Sequence, residues 1–392
     1  MHDTDLDIAI FGAGIAGLWT LVRLRQSGYR VATFERHALG GVQSIASQGI
    51  IHGGTKYALT GKLTGSAMAI GEMPGIWRAA LAGDGEIDLR DVRVLSPNQY
   101  LWTTGSLASG MAGFFAGKVM QSRMQTLART DCPPPFDDRG FRGNLYRLEE
   151  PVLDTRSLMA TFAEQVGADC RLLPAMPTFV RVDGGWRFRL PDGREIGARA
   201  LVLAAGAGNA DLLAALGHAQ PVMQTRPLHM LMLRGDLPPL HAHCLGASAN
   251  PRLTVTSYPL GDGRQVWYLG GDVAESGTQR SADAQIAAGR AELAELLPWL
   301  TLRDVEWATL PVERAEIATA GGKRPDDAYV GANDGVITCW PTKLAFAPRV
   351  ARLVGEAIDA LGITPSGGRY AGDGLAHPPL ARLPWDEVAQ WS

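Results

Sequence analysis

The stretch from Asp7 to Glu35 constrains this chain more than any other. Residues 7–12, DIAIFG, form the short apolar, β-branched run of a strand buried in a parallel sheet. GAGIAG overlaps its end, placing Gly12, Gly14 and Gly17 at the start of a helix. LWTLVRLRQSG then carries apolar residues at helical spacing and stops at Gly28, before a second strand, RVATFE. In such a unit Gly12 permits the tight turn, Gly14 lets the backbone approach a pyrophosphate, and Gly17 lets the helix pack closely on the strand. Ile15 and Ala16 open the helix, whose N-terminus faces the phosphates. Glu35, followed by Arg36, ends the second strand, where a carboxylate accepts from a ribose 2′-hydroxyl and disfavours the phosphorylated ribose of NADP. A Gly-rich turn alone also serves ordinary strand–helix packing, but strand, helix and terminal acid together point to a dinucleotide. They do not separate FAD from NAD.

Composition sets the frame around this unit. A chain of 392 residues, 46% hydrophobic, is long enough for a large core and for two domains. A net charge of -3 gives no global attraction to nucleic acid, so no nucleic-acid partner is expected. Cys132, Cys170, Cys244 and Cys339 are far apart and form no CxxC pair, which suggests neither a zinc site nor a disulfide framework. No metal is expected. The N-terminus lacks the basic region of a signal peptide and no stretch reaches the length of a membrane span, so the expected location is cytoplasmic.

Past Glu35 the chain reads RHALGGVQSIASQGIIHGGTKYALTGKL, rich in Gly and Ser, a long loop of the kind that covers a cofactor. ARALVLAAGAGNADLLAALG gives a strand, a small-residue turn and a helix start; DDAYVGANDGVITCWPTKLAFAPRVARLVGEAI gives strand, turn, strand and an amphipathic helix. These three segments in this order resemble the D-amino-acid oxidase and glycerol-3-phosphate dehydrogenase superfamily of two-domain flavoproteins. Locally, IIHGGTKYAL is similar to a segment of FAD-dependent glycerol-3-phosphate dehydrogenases and L-2-hydroxyglutarate oxidases.

The resemblance implies non-covalent FAD and an α/β fold: a Rossmann-like FAD-binding domain interleaved with an α+β substrate domain containing a mostly antiparallel sheet. The FAD domain is expected from 1–75, 145–215 and 320–366, the substrate domain from 76–144 and 216–319, and an extended tail from 367–392. Besides the first unit, the cofactor-facing residues are expected to be Ser47, Gln48, Gly49, Gly53 and Gly54 in the loop, Ala205 and Gly206 in the second segment, and Gly331, Thr342, Lys343 and Leu344 in the third. Cys339 lies where some relatives attach flavin through a thioether, but its surroundings differ and a small buried thiol is the expectation.

Oxidation through flavin needs substrate positioned against the ring and a base for the leaving proton. By resemblance, His229 is the first candidate base and His52, on the cofactor loop, its rival; the alternatives are a strand histidine bonded to a carbonyl and a histidine that only fixes the loop. Lys56 and Tyr57 fall on the Arg-Tyr pair of the dehydrogenases, with Lys replacing Arg and losing its bidentate fork. Arg314 and Lys343 fall on substrate-binding cations, with ordinary surface charges as the alternative. These residues suggest oxidation of a CH–OH group in a small anionic substrate, a 2-hydroxy acid or polyol phosphate, with oxygen, quinone or another acceptor reoxidising the flavin. An amine or amino-acid oxidase is the alternative, ahead of a redox sensor or a tRNA-modifying flavoprotein. YLGGDVAE departs from the dehydrogenase pattern, as does the short chain end. The segment SLASGMAGFFAGKVMQSRMQTLA reads as an amphipathic helix, with peripheral contact to the inner face of a membrane as its other reading.

Overall fold

A computed structural model of the protein describes residues 6–54, 65–105, 124–190, 192–246, 250–370 and 374–392, the side chains of 65–69 excepted. Lys56 and Tyr57, and most of the 106–128 segment, lie outside the described residues.

The first sheet is built on β1 (Leu6–Phe11), parallel to β2 (Val31–Glu35) on one side and β11 (Glu195–Leu203) on the other. Beyond β2 lies β8 (Cys170–Leu172), and beyond β11 lie β18 (Val336–Trp340) and antiparallel β17 (Tyr329–Asn333). A hairpin of β9 (Thr178–Val182) and β10 (Gly185–Arg189) pairs with β11. The apolar run Ile8–Phe11 of β1 follows from burial on both faces. Ile8 and Ile10 share a core with helices α1 (Ile15–Gln26) and α7 (Ala347–Ala360), whereas Phe11 meets Phe34 and Phe188 on the other side. α3 (Thr155–Val166), capped by the Asp154 carboxylate, packs beside α1.

The second sheet runs β16 (Glu306–Ile317), β12 (Met223–Gly235), β15 (Gln265–Gly270), β14 (Leu253–Pro259), β13 (Ala242–Cys244), β4 (Gln99–Trp102), β6 (Leu145–Leu148), β5 (Met124–Thr126). It is antiparallel except between β13 and β4. The short α5 (Asp272–Glu275) and α6 (Ala282–Leu296) cover one face of β12, where Leu231 and Leu233 pack with Leu293, Leu296 and Trp307. A small ladder joins β3 (Val94–Ser96) to β7 (Val152–Leu153). The architecture is the expected α/β fold: a Rossmann-like parallel sheet interleaved with a mostly antiparallel one.

The chain changes layer at places the composition does not mark. Helix α2 (Gly65–Ala82) runs through Pro74 and the expected boundary at 75, and the Trp77 indole donates to Ala345 O at 3.0 Å beside the parallel sheet. β6, expected to open an FAD stretch, pairs with β4 and β5 in the second sheet instead, because its Leu145 fills that sheet's core.

Residues 374–392 are closely held. Leu172 N–H donates to Ala376 O, Leu39 N–H to Pro379 O, and Ala381 N–H back to Leu39 O. The strand-like path then buries Trp385, its ring 4.4 Å from that of Tyr258, and ends with Ser392 exchanging backbone hydrogen bonds with Trp307. The segment therefore crosses from one sheet to the other as a strap.

Candidate functional site

The carboxyl ends of β1, β2, β11 and β18 open on one side of the parallel sheet, the position where such folds bind ligands. A single cavity of about 480 Å³ begins there and reaches β12 and β16 of the second sheet.

Its first end is the β1–α1 turn. Gly12 has φ +105, and a Cβ on it would stand 2.5 Å from Ala205 Cα, so only glycine fits. Gly17 lies behind the wall, where a Cβ would meet Gly12 O at 2.0 Å; its role is the helix–strand approach. Gly14 N-caps α1 without a side chain, and the next amide, Ile15 N–H, donates to Ser44 Oγ at 2.9 Å. Glu35 accepts from Ala13 N–H at 2.7 Å on one oxygen and from His37 N–H at 2.9 Å on the other. Each oxygen keeps lone-pair capacity for a hydroxyl. Arg36, His37 and Met176 continue the wall.

At the middle, Ala205 and Gly206 line the cavity in a turn that Asn209, the first residue of α4 (Asn209–Ala215), fastens: its side chain accepts from Ala205 N–H at 2.8 Å and donates to Cys339 O at 3.0 Å. Ser47, Gln48 and Gly49 line it from the loop, with the Gln48 amide donating to Tyr268 O at 2.9 Å. Gln43, which sequence reasoning missed, lines it too and accepts from Ala315 N–H at 3.2 Å, tying loop to second sheet. Thr342, Lys343 and Leu344 close this part. Thr342 holds a left-handed backbone, φ 58, and its buried Oγ1 has no hydrogen-bond partner among the described residues. That hydroxyl is one that could hold a ligand there. Lys343 is buried, with Nζ 4.9 Å from the Phe346 ring centre.

The far end carries the polar chemistry. His52 lines the cavity, its Nδ1 3.9 Å from a Glu150 oxygen and its ring stacked 5.6 Å from His243. Buried Glu150 also accepts from Gly53 N–H at 2.7 Å and from the Gln99 amide. Gly53 and Gly54 thus shape the turn rather than the cavity wall. Arg314 also lines the cavity, 3.4 Å from Glu275. Burial first, then the neighbouring Arg226 and Arg324 guanidiniums, push its pKa down to about 10, so it stays ionised at pH 7 in surroundings that favour an added anion. Arg324, also missed from the sequence, lines the same end.

Two further candidates also lie off the cavity. His229 does not face the cavity: Leu228 and Met230, its neighbours on β12, do, and strand alternation sends the histidine to the opposite face. There Nδ1 lies 3.1 Å from Gly277 O, and since a carbonyl only accepts, the proton sits on Nδ1. Gly331, on edge strand β17, is off the cavity because β18 lies between. Trp340 lines the cavity, whereas Trp102 and Trp267 fill the core of the second sheet. Cys339 is a buried thiol with its pKa raised to about 12 by burial, and no cysteine lines the cavity among the described residues. No cluster of metal-binding side chains occurs among them either.

The glycine turn, the Glu35 carboxylate, the orphaned Thr342 hydroxyl and the length of the cavity fit an FAD, which the Gly12–Ile15 turn and Glu35 would hold at one end. Comparison with known proteins agrees. The chain is 50% identical over 382 residues to a probable FAD-dependent oxidoreductase of Pseudomonas aeruginosa, covering 97% of each. The crystal structure of an FAD-dependent oxidoreductase from that organism superposes with a TM-score of 0.84 at 44% identity, over 97% of this chain and 98% of that one. Glycine oxidase from Geobacillus kaustophilus shares the fold at 17% identity, TM-score 0.66, over 91% and 95% of the two chains. Residues 7–358 match the DAO family of FAD-dependent oxidoreductases, and the chain belongs to that family as an FAD-dependent enzyme.

Proposed function

We propose that the enzyme oxidises a CH–OH group of a small anionic substrate, a 2-hydroxy acid or a polyol phosphate, whose acid group is held by Arg314. The observation that carries this reading is the partly buried Arg314 guanidinium on the cavity wall, crowded by two further arginines. An entering carboxylate or phosphate relieves that crowding and accepts a charge-assisted, bidentate pair of hydrogen bonds.

FAD, when bound, would supply the hydride acceptor for the substrate carbon, with oxygen, quinone or another acceptor for the electrons. The protein's part is to orient the substrate and move one proton. His52 is the group for the proton: it is the histidine at the far end of the cavity, since His37 stands beside Glu35. Neutral imidazole takes the hydroxyl proton, and the Glu150 carboxylate 3.9 Å behind it stabilises the imidazolium so formed. Leu228, Met230 and Val312 exclude water from the space between.

A second reading, oxidation of CH–NH, is favoured by the turning of His229 to the far face. A neutral amine has no O–H to lose and asks less of a protein base. Anaerobic mixing with panels of hydroxy acids, polyol phosphates and amino acids decides between them. Bleaching of the yellow flavin by members of the first two panels is expected; bleaching by amino acids alone sinks the CH–OH reading. Arg314→Met is expected to raise KM for the best substrate about tenfold or more, the worth of one charge-assisted contact, with FAD content retained.

A further inference from the structure

We propose that Arg324 is a specificity-determining residue that, together with Arg314, selects substrates carrying two negative charges away from the oxidised carbon. The proposal rests on the reading that the Arg314 end of the cavity receives the substrate's acid group, but not on the choice of hydroxyl over amine.

Arg324 follows the turn Ala320–Gly322, in which Gly321 and Gly322 both take left-handed backbone, φ 73 and 65. That turn is fastened at both ends by one side chain. Gln224 Nε2 donates to Lys323 O at 2.9 Å, and Gln224 Oε1 accepts from Thr319 N–H at 3.1 Å, while the Thr319 hydroxyl donates to Lys323 O. The segment carrying Arg324 is therefore set against β12, and its side chain reaches the same cavity as Arg314.

The charges around it are unevenly matched. Arg226 lies between Glu275, 3.4 Å away, and Glu316, 3.6 Å away, and Arg314 shares Glu275 at 3.4 Å. Arg324 forms no ion pair with a carboxylate among the described residues, and its Nε is buried without a hydrogen-bond partner. Three guanidiniums thus face two carboxylates. A buried guanidinium edge without an acceptor is costly, and like charges repel more strongly where water is thin. A ligand with one charge satisfies Arg314 and leaves Arg324 as it was. A ligand with two, spread over neighbouring oxygens, satisfies both forks. A phosphate monoester and a dicarboxylate share this chemistry.

The test uses the FAD-loaded enzyme and anions that are not oxidised, at constant ionic strength because screening would otherwise mimic selectivity. Shifts in the flavin absorbance band report binding of butyrate, succinate and inorganic phosphate. The wild-type enzyme is expected to bind succinate or phosphate about tenfold or more tightly than butyrate, the equivalent of one added charge-assisted contact. Which of the two dianions binds tighter assigns dicarboxylate or phosphate. In Arg324→Met the preference is expected to collapse to about twofold, with Arg324→Lys between, whereas Arg314→Met weakens all three anions. Equal affinity for one and two charges in the wild type, or an unchanged ratio in Arg324→Met, overturns the proposal. If no anion perturbs the flavin, the anionic-substrate reading fails with it. If dianions are preferred but amino acids alone bleach the flavin, the hydroxyl reading falls and the role of Arg324 stands. Should Arg324→Met fold poorly, the wild-type comparison still decides.

Discussion

His241 sits in the core beside β13, where burial pushes its pKa down to about 4 and its Nδ1 accepts from Ser257 N–H. The native state therefore keeps the ring neutral at pH values where an unfolded chain, titrating near 6.5, has already taken a proton. Stability from this residue is whole above about pH 6.5 and is lost as pH falls toward 4, by at most about 3 kcal/mol. Denaturation midpoints measured from pH 7 to pH 4 are expected to fall more steeply in the wild type than in His241→Gln. Parallel curves would remove His241 as the cause. At this scale the sequence was an uneven guide. The placement of Gly12, Gly14 and Glu35 was legible because it follows from backbone sterics and spacing within one local unit. His229 was not, since LHMLML is apolar on both faces: Met230 and Met232 share the core around β1, Leu231 and Leu233 that under α6. With no polar face there is nothing in the pattern to set the phase, and the strand's alternation becomes visible only with its neighbours in place. Arg324 looked like any charge in a surface run, GGKRPDD, and only the fastening of its turn by Gln224 brings it inward.

Among the elements, the terminal strap was the least readable. Its Pro- and Gly-rich composition correctly suggests no helix of useful length, but periodicity says nothing about a segment held by scattered anchors. Trp385 is the largest of these, 7% exposed and set against Tyr258 and Tyr268, both from the second sheet. Trp385→Ala is expected to cost about 3–5 kcal/mol, the usual range for emptying a buried aromatic site. A chemical-denaturation series reads this directly, and a change under about 1 kcal/mol would show that the strap lies on the molecule without holding it. Because Leu39 pairs with the strap next to His37 and Ala38 on the cavity wall, the same variant is expected to release FAD more readily. The hairpin β9–β10 follows the opposite rule, since a local turn at Asp183 and Gly184 joins its two strands.

For the whole molecule, the order of cofactor segments along the chain was readable while the partition between layers was less so, because α2 and β6 cross between sheets without any linker-like composition. The single cavity depends on that crossing. Its wall is drawn from Gly12 at one end of the chain to Leu344 near the other, with residues of both sheets between. Such a site has no counterpart in a partly assembled chain, so the cofactor binds the finished fold and not its precursors. By mass action FAD then draws the folding equilibrium forward, by about 4 kcal/mol at a thousandfold excess over Kd. The melting temperature is expected to climb with added FAD, and a melting temperature indifferent to it would mean that the layers close without their ligand. Capture of the cofactor becomes the last event in the protein's maturation, and the supply of FAD sets how much of the chain reaches it.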